Sequence, residues 1–254
     1  MLERAMHVWR VFGAGISFSF VGLAGVVVFP LLNALVWRRR WRKEVARRMI
    51  WLTFRGIVNT MCLLRVIRVD ITGLERLDRR GLLILANHPS LIDVVLLMAF
   101  VKRADCIIKR GVWRNPFTHA TVRAADYIRN DSGPELVEKC IASLESGSNL
   151  IIFPEGTRTP EHGFVRLKRG AANIALRTSC NVTPVLIRCT PAVIGKGWQF
   201  WRTLSRSVHY KIEVREDIDT RSFTDQAQNE PLAARRLTLY LQEYFSNENR
   251  SYAA

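Results

Sequence analysis

The amino-acid sequence predicts an α/β domain: a mixed, largely parallel sheet flanked by helices, preceded by an N-terminal membrane-embedded helical segment and a basic amphipathic helix. Three observations carry that expectation. Residues 11–37 contain no charged side chain. Residues 38–48 then hold seven cations, Arg38, Arg39, Arg40, Arg42, Lys43, Arg47 and Arg48, opposed only by Glu44. From Val66 onward, apolar runs of strand length alternate with segments of helix length, the pattern of a sheet with helices on its faces. The chain therefore divides into a membrane segment (1–37), a basic membrane-surface segment (38–65) and one folded domain (66–254).

Composition narrows the partners. The 254 residues are 48% hydrophobic and 24% charged, too apolar for a disordered chain and sufficient for one core of ordinary size. Lys and Arg outnumber Asp and Glu by 38 to 22, a net charge of +16, which suits nucleic acid, an anionic bilayer or phosphorylated substrates. Half of that excess lies in the first 60 residues, with ten basic and two acidic side chains. The cluster adjoins a lipid-type segment and no RNP, KH or zinc-finger pattern follows, so an anionic membrane is the expected partner and nucleic acid is not. Cys62, Cys106, Cys140, Cys180 and Cys189 are odd in number and scattered, with neither a C-x-x-C pair nor an H-E-x-x-H. No disulfide framework and no metal site are predicted, and a reducing compartment fits.

As a helix, the uncharged run would reach about 40 Å, against about 30 Å for the hydrocarbon core of a bilayer. It is too long for a signal peptide, and no small-x-small cleavage site precedes the basic cluster. Pro30 interrupts it near its end, which leaves two geometries open: one tilted, kinked span, or a re-entrant pair of short helices in a single leaflet. By the positive-inside rule the cations mark the cytoplasmic side, so the expected location is the cytoplasmic (inner) membrane with the folded domain on that side. With Trp37 and Trp41 they form a stretch similar to an amphipathic helix on anionic headgroups, where each cation contributes about 1 kcal/mol. Strands are expected at Val66–Thr72, Leu82–Ala86, Cys106–Lys109, Asp126–Arg129, Leu150–Phe153, Pro184–Arg188 and Val208–Val214. Helices are expected at Leu91–Val101, Pro134–Ser146, Leu167–Ser179 and Leu232–Phe245, with a turn at residues 130–134.

The chemistry concentrates in two segments. After the strand ending at Ala86 comes Asn87-His88-Pro89-Ser90-Leu91-Ile92-Asp93, which sets a histidine at a strand end and a carboxylate five residues on, in the first turns of a helix. An imidazole, with an ordinary pKa of about 6.5, takes a proton from a hydroxyl near neutral pH, and a carboxylate on its other nitrogen fixes the tautomer. Ser90 lies in no G-x-S-x-G elbow, so a helix cap or a motif-stabilising hydrogen bond is expected of it rather than nucleophilic attack. The second segment, Phe153-Pro154-Glu155-Gly156-Thr157-Arg158-Thr159, follows another apolar strand. Gly156 lets backbone approach a ligand closely, and Arg158 offers a planar fork to phosphate oxygens. In an open α/β sheet both segments fall at carboxyl ends of strands, where ligands bind. His7, His119, His162 and His209 lack a partner pattern. Lys168 and Arg169 read as a solvated basic face or as a contact for a phosphate or an acidic carrier protein.

Together the two segments resemble the signatures N-H-x-S-x-x-D and F-P-E-G-T-R-S of the glycerolipid acyltransferase family, most closely the 1-acyl-sn-glycerol-3-phosphate acyltransferases. The likeness extends over roughly residues 66–210. It implies that 66–254 is an acyltransferase catalytic domain in which His88 deprotonates the acceptor hydroxyl and Asp93 orients it. It also implies that Glu155, Gly156, Thr157 and Arg158 form the acceptor-binding turn, Arg158 holding the phosphate. Lys109 and Arg129 are the counterparts of the family's two middle blocks. This sequence departs there, with Arg110-Gly111 in place of Glu-Leu and no Asp before the arginine. The family's fourth block corresponds to Val182-Thr183-Pro184-Val185. The implied reaction moves an acyl group from acyl-CoA or acyl-carrier protein to lysophosphatidic acid, with no metal and no organic cofactor. Alternatives are the same chemistry on another acceptor (a lyso-ornithine lipid or another lysophospholipid), an acyl thioesterase, and an inactive membrane-surface binding module.

Overall fold

A computed structural model of the chain describes residues 2–90, 92–130, 135–159, 166–191, 204–225, 227 and 229–250. The strands are β1 (Ile67–Thr72), β2 (Leu83–Ala86), β3 (Ala104–Ile108), β4 (Ile128–Arg129), β5 (Asn149–Ile152), β6 (Val182–Thr190) and β7 (Val208–Val214). They form one sheet in the order β1-β7-β6-β2-β5-β3-β4. Every described pairing is parallel except β6 with β7. The expected mixed, largely parallel α/β sheet is thus the fold.

The helices that cover the sheet are α4 (Asp93–Phe100), α5 (Arg110–Arg114), α6 (Pro116–Ala125), α7 (Glu135–Glu145), α8 (Gly170–Thr178), α9 (Arg221–Asp225) and α10 (Glu230–Arg250). Before them come α1 (Leu2–Leu23), a π-helical turn (Ala24–Val28), α2 (Phe29–Leu35) and α3 (Arg39–Leu63). Every residue of β2 and β5 is buried, as a central parallel strand covered on both faces requires. Side chains alternate between two layers. Ile84, Ala86 and Ile151 join Ile57, Val58 and Met61 of α3 and Leu96 and Leu97 of α4. Leu83, Leu85, Leu150 and Ile152 join Cys140 of α7, Ile174 of α8 and Leu237 of α10. Pro184 is tolerated inside β6 because the ladder with β7 begins one residue later, at Val185.

The N-terminal apolar run doubles back along the domain. Trp9 Nε1 donates to the Leu64 carbonyl at 3.1 Å, and Asn33 Nδ2 to the Ala120 carbonyl at 2.9 Å. α1 and α3 therefore form an antiparallel hairpin with the turn at residues 36–38. A Cβ on Gly25 would stand 2.0 Å from the Phe117 carbonyl oxygen, so only glycine permits the π-helical turn to lie this close to α6. Pro30 does not end the helix; the irregular turn falls just before it, where its ring disrupts the ladder. The outer face presents Phe12, Ile16, Phe20, Leu23, Val26, Leu31 and Leu35, with Trp37 and Trp41 at the turn.

One expected headgroup contact is overturned. Arg47 is buried, and its Nη2 meets Asp105 Oδ2 at 2.5 Å. Its Nε donates to the Ala125 carbonyl and its Nη1 to the Ser148 hydroxyl, both at 3.0 Å. Ser143 Oγ and the Cys106 N–H donate to the same carboxylate, at 2.6 and 2.9 Å. The reason is periodicity: Arg47 lies on one helical stripe with Ile50, Ile57, Val58 and Met61, all buried.

The same pair explains a boundary. β3 begins at Ala104 and not Cys106 because Asp105, polar in the sequence, is neutralised inside the sheet. α5 and α6 occupy a stretch where no element was expected; Asn115 caps α6 through the Phe117 N–H at 2.9 Å, with Pro116 in its first turn. Asp126 adopts a left-handed conformation (φ 55°, ψ 47°) that closes α6 and delays β4 to Ile128. Leu91, residues 131–134 and His162 lie outside the described residues.

Removing one member of a buried ion pair strands the other. Arg47→Met is expected to cost about 3–5 kcal/mol of unfolding free energy, while Arg47→Met with Asp105→Leu recovers most of it. Urea unfolding in detergent checks this; a single substitution within 1 kcal/mol of the unmutated protein contradicts it.

Candidate active site

The carboxyl ends of β2, β5, β3 and β4 lie side by side in that order, and each delivers one of the residues singled out above. β2 ends at Ala86, and Asn87 closes the ladder by side chain. Its Nδ2 donates to the Ile187 carbonyl at 2.8 Å and its Oδ1 accepts the Ile187 N–H at 2.7 Å. His88 follows, with Nδ1 2.8 Å from Asp93 Oδ2. Asp93, fully buried at the start of α4, also accepts the Ser90 N–H at 2.6 Å on Oδ2 and the Ser90 hydroxyl on Oδ1. Ser90 therefore supplies the motif-stabilising hydrogen bond expected of it, and not a nucleophile.

The imidazole is held on its face as well. Its ring centroid lies 4.4 Å from that of Phe153. Its Nε2 has no partner among the described residues, and the side chain is 19% exposed. The histidine is thus fixed on one nitrogen and packed on one face, with its other nitrogen unpartnered among the described residues, an arrangement that suits proton abstraction.

β5 leads into the second segment. Glu155 is 6% exposed; its Oε1 accepts the Thr159 hydroxyl at 2.7 Å, while its Oε2 is buried without a partner among the described residues. Burial pushes its carboxyl above the usual carboxylate range, opposed by the hydrogen bonds from Thr159 and the His88 backbone. Gly156 takes φ +67°, and a Cβ there would stand 2.7 Å from Cε and Nζ of Lys168. The positive φ favours glycine, and the flexible end of Lys168, with its ammonium, lies against the turn. Thr157 is exposed and Arg158 half-buried.

Lys109 follows β3 and is exposed. Arg129 ends β4 with its guanidinium 5.0 Å from the Trp113 ring centroid. Ile108 pairs with Arg129, so Lys109 and Arg129 share one corner. With adjacent strands about 4.8 Å apart, that corner lies roughly 10–14 Å from the strand of His88, so one extended substrate would be needed to join them. Among the described residues no group of three or more His, Cys, Asp or Glu side chains is placed to hold a metal ion.

Of the other histidines, His119 Nδ1 meets the Trp113 carbonyl at 2.8 Å. His209, for which no partner was expected, meets Asp70 at 2.6 Å, but both side chains are exposed at the far end of the sheet. Thr159, Phe153 and Asn87 were not singled out from the sequence. Their roles come from contacts between segments about 70 and 100 residues apart, and the only local signal was a hydroxyl closing the second motif.

A partly exposed imidazole held by a buried carboxylate thus lies beside a glycine-containing turn with Arg158, at neighbouring strand ends of an α/β domain. Residues 68–188 match the model of the family described as Acyltransferase, and this segment belongs to that family. The chain is 24% identical over 192 residues to a chloroplastic 1-acyl-sn-glycerol-3-phosphate acyltransferase of Arabidopsis thaliana, covering 72% of this chain and 51% of the relative. It is 29% identical over 170 residues to the 1-acyl-sn-glycerol-3-phosphate acyltransferase of Pseudomonas aeruginosa, covering 63% of each. The match thus spans about half to three fifths of the length of these relatives. The crystal structure of the 1-acyl-sn-glycerophosphate acyltransferase PlsC from Thermotoga maritima superposes with a TM-score of 0.71 at 22% identity, covering 100% of this chain and 98% of that one. It shares the fold.

The raised Glu155 carboxyl has a consequence for stability. Its contribution is fully present below the unfolded pKa and is lost as pH rises through the higher folded one, because the buried group must then ionise. Glu155→Gln never ionises. The melting temperature of Glu155→Gln relative to the unmutated protein is therefore expected to rise as pH is taken from the ordinary carboxylate range to pH 8. A difference constant with pH contradicts this.

Proposed function

We propose that the chain is a membrane-bound O-acyltransferase that moves a fatty acyl group from acyl-CoA or acyl-carrier protein to the free hydroxyl of lysophosphatidic acid, giving phosphatidic acid. The observation that carries this reading is the meeting, at neighbouring strand ends, of the His88–Asp93 pair with the Glu155–Arg158 turn. The activity for which the two relatives are named supports the choice of acceptor.

In the proposed step, His88 Nε2 takes the acceptor's hydroxyl proton while the oxygen attacks the thioester carbonyl. Asp93 stabilises the imidazolium that forms. Collapse of the tetrahedral intermediate breaks the C–S bond, and the proton on Nε2 passes to the departing thiolate, so the imidazole returns neutral and no acyl-enzyme forms. Arg158, with Lys109 and Arg129 toward the corner, supplies positive charge for phosphate groups. Neither a metal nor an organic cofactor takes part.

Both substrates are amphipathic, so the site must work at a bilayer surface. The apolar outer face of α1 and α2 and the exposed Arg38, Arg39, Arg40 and Arg48 at the hairpin suit insertion from one side into an anionic leaflet. We assign that leaflet to the cytoplasmic face of the inner membrane, on the positive-inside rule.

The test is product formation by mass spectrometry in nanodiscs supplied with lysophosphatidic acid and a panel of acyl-CoA and acyl-carrier-protein donors. Phosphatidic acid is expected, with a roughly 10²- to 10⁴-fold loss in His88→Ala. Donor consumption without a lipid product would turn the reading to a thioesterase. Product from another lysolipid alone would change the acceptor. No consumption with any acceptor would leave a binding module.

A further inference from the structure

We propose that Thr159 is a positioning residue for His88: its hydroxyl, oriented by Glu155, clamps the His88 peptide so that the imidazole meets the acceptor hydroxyl in one orientation. The inference rests on the acyl-transfer reading above. It starts from the end of the sheet. β2 stops at Ala86, and Asn87 spends its side chain on Ile187, so the ladder does not hold His88. Both main-chain groups of His88 go instead to one residue. The His88 N–H donates to Thr159 Oγ1 at 2.8 Å, and the Thr159 N–H donates to the His88 carbonyl at 2.9 Å.

One end of the chain of hydrogen bonds is fixed in direction. A peptide N–H can only donate, so Thr159 Oγ1 accepts from His88, and its own proton is directed to the ionised Glu155 carboxylate at Oε1, 2.7 Å away. Glu155 and Thr159 are both buried, so water does not replace either partner. Glu155 thus orients Thr159, and Thr159 orients the His88 backbone. Asp93 and Phe153 fix the ring, but only relative to that backbone. Because a shift of about 1 Å in a catalytic group can cost on the order of 10²-fold in rate, the clamp is where the second motif acts on the first.

The discriminating variants are Thr159→Val, which keeps the branched shape and the backbone hydrogen bond but removes the hydroxyl, and Thr159→Ser, which keeps the hydroxyl. Steady-state kinetics for phosphatidic acid formation in nanodiscs, on preparations that melt cooperatively, should give a roughly 10- to 100-fold fall in kcat for Thr159→Val with KM within about twofold. Thr159→Ser should recover kcat to within about fivefold of the unmutated protein. The ring ¹⁵N shifts of His88 should move in Thr159→Val and not in Thr159→Ser. A merely structural threonine would lower the melting temperature without this split or these shifts. An active unmutated protein with kcat unchanged in Thr159→Val overturns the clamp and leaves the acyl-transfer reading standing. An unmutated protein that forms no phosphatidic acid overturns that reading; the His88 shifts then decide the clamp, and shifts equal in all three proteins overturn it too.

Discussion

β2 and β5 lie in parallel register, Leu83 opposite Leu150 through Leu85 opposite Ile152, and the active edge depends on that pairing. It brings Asn87-His88 and Phe153-Pro154-Glu155 out of the sheet as adjacent loops, which lets one threonine hold the histidine's peptide. Both strands are wholly buried, so a slip of one residue would send the four apolar side chains of β2, or the three of β5, to the opposite layer. The core therefore specifies the register and, through it, the distance between the two motifs. Beyond the last ladder bond, side chains take over: Asn87 on β6, Ser90 on Asp93, Thr159 on His88. Each hydrogen bond replaces one that the sheet no longer supplies.

A second constraint ties this edge to the N-terminal helical hairpin. Arg47 passes from α3 into the sheet and ends on Asp105 of β3, the strand next to β5. Two charges removed from water are tolerated only because their polar atoms are otherwise satisfied, by Ala125, Ser148, Ser143 and Cys106. Gly25 against Phe117 brings the other arm of the hairpin onto α6. The hairpin and the sheet are thereby one packed body, which fixes the height of His88 above whatever surface the outer face of α1 and α2 occupies. For a lipid substrate whose chain remains in a leaflet while its headgroup reacts, that height matters as much as any residue in the site.

Local signals carried much of the design. The alternation of apolar strands with helices disclosed the sheet, and the spacing from His88 to Asp93 disclosed their pairing, because five residues bridge a strand end and a helix start. What escaped was encoded in contacts between distant segments. The strand expected from Cys106 starts two residues earlier because Arg47, 58 residues before Asp105, pairs with it inside the sheet, and Arg47, expected among the headgroup cations, lies instead on the buried stripe of its helix. α5 and α6 are short, and their sign, Asn115 before Pro116, is a capping signal rather than a periodic one. Thr159 stood at the margin of a motif whose chemistry drew attention to Glu155 and Arg158. Its importance lies in a hydrogen bond across 71 residues. Pro30 was a real irregularity, but only packing against α3 and α6 decides how the helix around it lies.

The central claim is that His88 works as a base because Asp93 holds its other nitrogen. The most direct measurement is kcat for phosphatidic acid formation by Asp93→Asn in nanodiscs, on protein that melts cooperatively. The amide keeps the shape but favours the wrong imidazole tautomer and withholds the charge that stabilises an imidazolium. The expected result is a fall in kcat of roughly 10²- to 10⁴-fold with KM little changed. A kcat within about threefold of the unmutated protein would contradict the account.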